Sequence, residues 1–348
     1  KKEIDNDPLY ILPENVGAFN GRLNITKGNS SIIIDYAHKI NDPSADNNYI
    51  YKNGNALIIT SNYSIKGFGF SIGAKRIENM SFRSERNAIL QDLNINFIMP
   101  FTKQQSYSLA TIYPYSSQPN GEIGSQIDIY YTIPKKSKIG GKYGTNINLN
   151  FSNVFDIDRT LIDGSYTINQ SGTIGYSSNY LKAGDKLFQE INLEISRKIN
   201  RKLKIIGSII FLENNDKIIK SQPLLNNQNH EYIYAEIAIL EILYKIKPKH
   251  STRIELQHLK TKQHYGNWMM GLIEYNISPN IFWSIQDLYN YGHPDSPHYY
   301  SISTGYTHGA NRLSITYGKQ RAGLFCVGGV CREVPASNGF SISLTSSF

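Results

Sequence analysis

The last ten residues constrain the fold more than any other stretch. In GFSISLTSSF, Gly339–Phe348, the residues Phe340, Ile342, Leu344 and Phe348 share one parity, and Ser341, Ser343, Thr345 and Ser347 share the other. A period of 2 puts alternate side chains on opposite faces of a strand. One face is apolar and ends in an aromatic; the other is hydroxylated. A soluble sandwich usually carries charge on its polar face and continues into a turn, whereas this stretch stops on Phe348. The pattern predicts a barrel-terminating strand, with lipid on the Phe340 side and a wet lumen on the Ser341 side.

The same alternation recurs along the chain. Leu23 and Ile25 alternate with Arg22 and Asn24, and Phe68, Phe70 and Ile72 with Gly69, Ser71 and Gly73. Leu93, Ile95 and Phe97 oppose Asp92, Asn94 and Asn96, predicting a strand there. Ile147, Leu149 and Phe151 oppose Asn146, Asn148, Asn150 and Ser152; Ile191, Leu193 and Ile195 oppose Glu190, Asn192 and Glu194. Burying each such polar group without a partner costs a few kcal/mol, so this face must meet water or a hydrogen-bonded lumen. Tyr130, Leu243, Trp268 and Leu272 fall on the inward parity, which fits a partly filled lumen. Two segments depart from the rule. Residues 232–246 switch parity near Ile239, predicting a bulge there, although their charge spacing also fits an amphipathic helix. Asp287 shares the parity of Ile281, Trp283 and Ile285, so either the strand slips or Asp287 lies at a membrane rim.

Connector lengths alternate as well. Short links are read at 27–29, 65–66, 100–104, 199–201, 247–250, 278–279 and 309, with a turn-rich 134–142. Long ones are read at 39–54, 77–88, 114–122, 155–186, 213–230, 291–297 and 321–336. Outer-membrane barrels combine short periplasmic turns with long outer loops. The expected fold is therefore all-β: a large antiparallel transmembrane β-barrel of the outer-membrane type. It has about 16–18 strands in this chain, one domain over residues 18–348, and residues 1–17 as a loop or remnant of an upstream region. An odd count near 17 places residues 1–17 on the outer side and makes the chain part of a longer barrel, because such barrels have even strand numbers.

Composition is compatible with this. No run of about 18 apolar residues is present, so no transmembrane helix is expected. A mean hydropathy of −0.38 does not oppose a barrel, since half of every strand faces water. The net charge of +8 is carried largely at turns, at Lys135, Lys136, Lys138, Lys247 and Lys249, so no nucleic-acid partner is expected. Twenty-five tyrosines against two tryptophans suit strands and interfacial girdles. Cys326 and Cys331 flank Gly328-Gly329, predicting a small loop disulfide and an oxidising compartment.

Candidate sites are few. Lys75, Arg76, Arg83 and Arg86 cluster near the outer rim, as a clamp for lipopolysaccharide phosphate or another anion, or, as the preferred reading, as lumen charges paired with acids such as Glu85 and Asp92. Asp42, Ser44, Asp46 and Asn47 could ligate calcium but fit turn formation better. His293 and His298 flank Asp295 without further specified ligands, which favours a solvated loop over a metal site. Gly140–Thr145 lacks the spacing of a phosphate loop. His38, His230, His250, His258, His264 and His308 accompany no serine motif, so no enzyme, catalytic residue, cofactor or metal is expected.

Five stretches, ILPENVGAFNGRL, NDPSADNNYIY, NMSFRSERN, YTIPKKSKIGGKYGT and RAGLFCVGGVCREVPASNGF, resemble an uncharacterised family of Bacteroidota outer-membrane β-barrel proteins. The resemblance runs from residue 11 to 348 and implies an outer-membrane location, with a further β-rich region and a signal peptide ahead of the matched part. It supplies no activity or substrate. The expected role is a channel or a component of an envelope transport or assembly machine. The alternatives are a plugged scaffolding barrel whose outer loops bind a partner protein or lipopolysaccharide, and a soluble sandwich or adhesin. Expected partners are outer-membrane lipid and lipopolysaccharide, the barrel assembly machinery and another envelope protein.

Overall fold

A computed structural model describes residues 11–88, 92–219, 232–327 and 330–347; the side chains of 219 and 323–334 lie outside that description. Among the described residues, fifteen strands form one antiparallel up-and-down sheet in chain order. They begin with β1 (Ala18–Lys27), β2 (Ser30–Lys39), β3 (Gly54–Ile65), β4 (Phe68–Glu78), β5 (Gly121–Ile133), β6 (Thr145–Thr160), β7 (Ser177–Lys198) and β8 (Leu203–Asn215). They continue with β9 (Tyr232–Lys247), β10 (His250–Lys260), β11 (Trp268–Ile277), β12 (Ile281–Tyr289), β13 (His298–His308) and β14 (Asn311–Gln320). A separate two-stranded hairpin, β15 (Gly323–Val327) and β16 (Val330–Val334), stands in the loop before the last wall strand, β17 (Ser337–Ser346). β1 and β17 are the edges of the large sheet, and with 15 antiparallel strands they run in the same direction.

Tight links join the strands at one end. Gly28 and Gly309 adopt φ of +58° in two such turns, the left-handed geometry that two-residue hairpins require. At the other end the links are long. The expected loop over 155–186 is shorter than the pattern indicated, because β6 and β7 pair outward as far as Thr160 and Ser177.

Register carries two faces around the whole sheet. One inner row, traced through Cα pairs, runs Thr26, Ser31, Asn62, Ser71, Asp128, Asn150, Asn192, Ile210, Ile237, Leu259 and Trp268. It is polar from β1 to β7 and apolar from β8 to β11. The outer face carries an apolar band, with Leu23, Ile59, Leu193, Ile209, Leu240, Ile273 and Ile302 all exposed. Among the described residues no protein covers them, which is the arrangement lipid contact requires.

Three sequence expectations change. The strand expected over 92–97, and the one implied between the links at 100–104 and 114–122, are not wall strands. Their residues belong to the link between β4 and β5, residues 79–120, whose described part folds against the inner face. No bulge occurs near Ile239: β9 pairs without interruption from Tyr232 to Tyr244 with β8, and the register shift lies at His250/Ser251. The apparent parity switch arises because Ile233, Ala235, Ile237 and Ile239 face inward onto an apolar filling, whereas beyond them the inward face carries Glu241 and the apolar residues Leu240 and Tyr244 lie on the outer face. Nor does β12 slip: its register is unbroken, and Asp287 sits on the outer face at the strand's end, its Oδ2 2.6 Å from His298 Nδ1.

Candidate functional site in the lumen

The filling comes from the β4–β5 link. Tyr107, Leu109, Ala110, Ile112, Tyr113 and Tyr115 are buried in one cluster with Ile210, Leu212, Ile237, Leu259, Trp268 and Met270 of the wall. Polar anchors fix it further. Tyr107 donates its hydroxyl to Glu241 Oε2 at 2.8 Å, the backbone N–H of Leu109 donates to Gln257 Oε1 at 2.8 Å, and Asn214 Nδ2 donates to the carbonyl of Tyr113 at 3.2 Å. Tyr115 donates to Glu122. Burial pushes the Tyr107 and Tyr115 hydroxyls above their ordinary range, with the neighbouring carboxylates adding to the effect, so both stay neutral donors.

The earlier part of the link crosses the opposite wall. Lys103 Nζ donates to Asn192 Oδ1 at 3.1 Å and lies 3.4 Å from Glu194 Oε2, and Gln105 Nε2 donates to Glu190 Oε1 at 2.9 Å. Phe101 rests on Gly73, where a Cβ would come within 2.9 Å of its ring. Only glycine leaves that space. Ile98 packs toward Ala37, Ala56 and Ile77 of the wall. Because this one link reaches inner-face residues from β3 to β11, the sheet wraps around it.

Between the link and the polar wall lies a cavity of about 480 Å³. The link contributes Phe97, Met99, Phe101, Lys103, Gln105, Tyr113 and Tyr115; the wall contributes Thr60, Ser71, Gln126, Asp128, Phe188 and Glu190. Asp128 accepts from Asn150 Nδ2 at 2.7 Å and from Gln126 Nε2 at 3.0 Å. The size is that of a small-molecule site.

The sequence-predicted residues are placed as follows. Lys75 lies 2.5 Å from Glu122 Oε1, both fully buried, and also donates to the Met99 carbonyl at 2.8 Å, so it holds the link to the wall. Arg76 pairs with Glu78 at 2.7 Å, and Arg83 lies 3.5 Å from Asp46 and donates to the carbonyl of Asp92. Arg86 lies 3.5 Å from Asp42 and donates to the Pro43 carbonyl. The four cations are thus engaged within the protein, with Glu122, Glu78, Asp46 and Asp42 among their acidic partners. Asp42 and Asp46 face cations around the Ala45–Asn47 turn. His293 lies beside Asp295, while His298 turns to Asp287. Tyr130, Leu243, Trp268 and Leu272 all lie on the inward face. Phe340, Ile342 and Leu344 face outward, 70–78 % exposed, opposite Tyr317, Ile315 and Leu313; Phe348 lies outside the described residues. Cys326 and Cys331 are Cα partners in the β15–β16 hairpin, and their side chains lie outside the description. Sequence reasoning missed the link's role, although the apolar parity of β9 was the signal that something fills the lumen there.

The fold and its lumen define an all-β protein of the outer-membrane barrel type. The chain belongs to the family of unknown function DUF6029, which matches residues 1–348. No curated protein matches its sequence. Among solved structures, a mutant porin of Rh. blastica is similar at 11 % identity and TM-score 0.36, over 93 % of this chain and 87 % of the porin. The ferric enterobactin receptor PfeA of Pseudomonas aeruginosa is similar at 10 % identity and TM-score 0.41, over 89 % of this chain and 51 % of the receptor. The chain thus spans about half of that receptor.

Proposed function

We propose that the chain is a channel-type barrel of the bacterial outer membrane, in which the 79–120 link narrows the lumen and leaves a passage along the polar wall. The supporting observation is the pairing of an apolar outer face with an inner row that is polar from β1 to β7, beside which the cavity against the link lies. The Bacteroidota origin and the contacts with lipopolysaccharide and assembly machinery implied by the resemblance belong to the same proposal, as does a non-catalytic role. Planar-bilayer recording of the full chain tests it. Discrete conductance steps are expected. Correctly folded protein that inserts but passes no current overturns the passage and favours the plugged scaffold, for which the apolar packing of Tyr107–Tyr115 against β8–β11 would then be the basis.

A further inference from the structure

The link carries an apolar strip whose end, Phe97 and Met99, lines the lumen cavity. Leu93, Ile95, Phe97 and Met99 share one parity and are 49–62 % exposed, while Ile98, of the opposite parity, packs on the wall. Apolar exposure on the outer face is explained by lipid. Beside a cavity whose wall carries Thr60, Ser71, Gln126, Asp128 and Glu190 together with Phe188, lipid does not explain it, and water on Phe97 and Met99 costs about 25 cal/mol per Å².

Phe97 and Met99 form one side of the 480 Å³ cavity, and Gln126, Asp128 and Glu190 form another. The two sides ask for different things. Phe97 and Met99 offer a flat apolar contact, whereas the Asp128 carboxylate is an acceptor and takes hydrogen bonds only from donors. The described partners of the two acids are amides: Asn150 and Gln126 on Asp128, and Gln105 on Glu190. The cation among the lining residues, Lys103, is turned to Asn192 and Glu194. On the wall side Asp128 sets a carboxylate at the cavity.

We propose that this cavity is a binding site for a small amphipathic solute with one apolar face and hydrogen-bond donors on the other. Hydroxyl-rich rings such as saccharides and amine-bearing aromatics share that chemistry; anions do not. The proposal rests on the channel reading and deepens it by naming what the passage holds.

The test uses the full chain and three probes: maltotriose, benzylammonium and benzoate. Calorimetric titration in detergent micelles reads binding, and bilayer current reads interruption of flow. Binding of maltotriose or benzylammonium is expected, and which of the two binds separates the hydroxyl from the amine source. Phe97→Ala should weaken it at least tenfold, since Phe97 is exposed and its removal leaves the packed core intact. Asp128→Asn should weaken benzylammonium more than maltotriose. Benzoate should not bind. The proposal is overturned if neither donor probe binds, if benzoate binds equally well, or if Phe97→Ala leaves affinity unchanged. Binding without conductance sinks the channel reading and keeps the site; conductance without binding does the reverse.

Discussion

The inner faces of β6 and β9 both turn into the barrel and have opposite chemistry. On β6 the inward run Asn146, Asn148, Asn150 and Ser152 is polar up to Val154, and on β9 the inward run Ile233, Ala235, Ile237 and Ile239 is apolar up to Glu241. The difference lies in what each strand faces. β6 meets hydrogen-bonding side chains, with Asn150 donating to Asp128, while β9 faces Tyr107–Tyr115 of the in-folded link. The lumen of this barrel therefore has two sectors, one open to polar chemistry and one packed like the interior of a soluble domain.

Exchanging the chemistry of the sectors should produce the largest effect. Ile237→Asp, at 1 % exposure, puts a carboxylate among Ile210, Leu259 and their neighbours and should destabilise the fold by about 4 kcal/mol. Asn148→Asp on the polar sector should cost less than about 1 kcal/mol. Urea unfolding of both variants measures the contrast, and equal costs would abolish the distinction. A smaller loss is expected at the seam. Lys75→Met leaves Glu122 buried beside Tyr115 without its ammonium, costing about 3 kcal/mol, with part of that recovered in the Lys75→Met/Glu122→Gln double variant. A double-variant cycle that shows no coupling would remove this buried ion pair between β4 and β5 from the account. Smaller still, Gly73→Val should displace Phe101 at a cost of about 2 kcal/mol and change conductance, because it disturbs the link on the polar side alone. Unchanged conductance would mean that this part of the link does not bound the passage.

Much of the wall was legible in the sequence. Alternation located the strands around Leu23, Ile34, Phe70, Ile129, Leu149, Leu193 and Leu313, and connector lengths separated the tight-turn end from the long-loop end. What was not legible follows from one ambiguity. Period 2 reports that a strand-like segment has two faces but not which medium each meets. Leu93, Ile95 and Phe97 therefore read like a lipid-facing strand, although they belong to the link and Phe97 lines the lumen cavity. Ile237 and Ile239 read like a parity slip because the lumen beside them holds protein instead of water. Distant pairings such as Lys103 with Glu194 depend on the path of that link, which no local pattern encodes, and Lys75 meets Glu122 only through the register of β4 against β5. The outward ends of β6 and β7 carry Asp156, Asp158, Lys182 and Asp185, and so lacked the apolar alternation that marked their lower halves.

The claim on which the two-sector account rests is that the link bounds an aqueous passage at Phe97. Bilayer recording of the Phe97→Cys protein before and after a bulky, membrane-impermeant cationic thiol reagent tests it most directly, with the unsubstituted protein under the same reagent as baseline. The account predicts that labelling lowers the single-channel current of the variant and leaves the baseline unchanged. Complete labelling, verified by mass, with no change in current would contradict it.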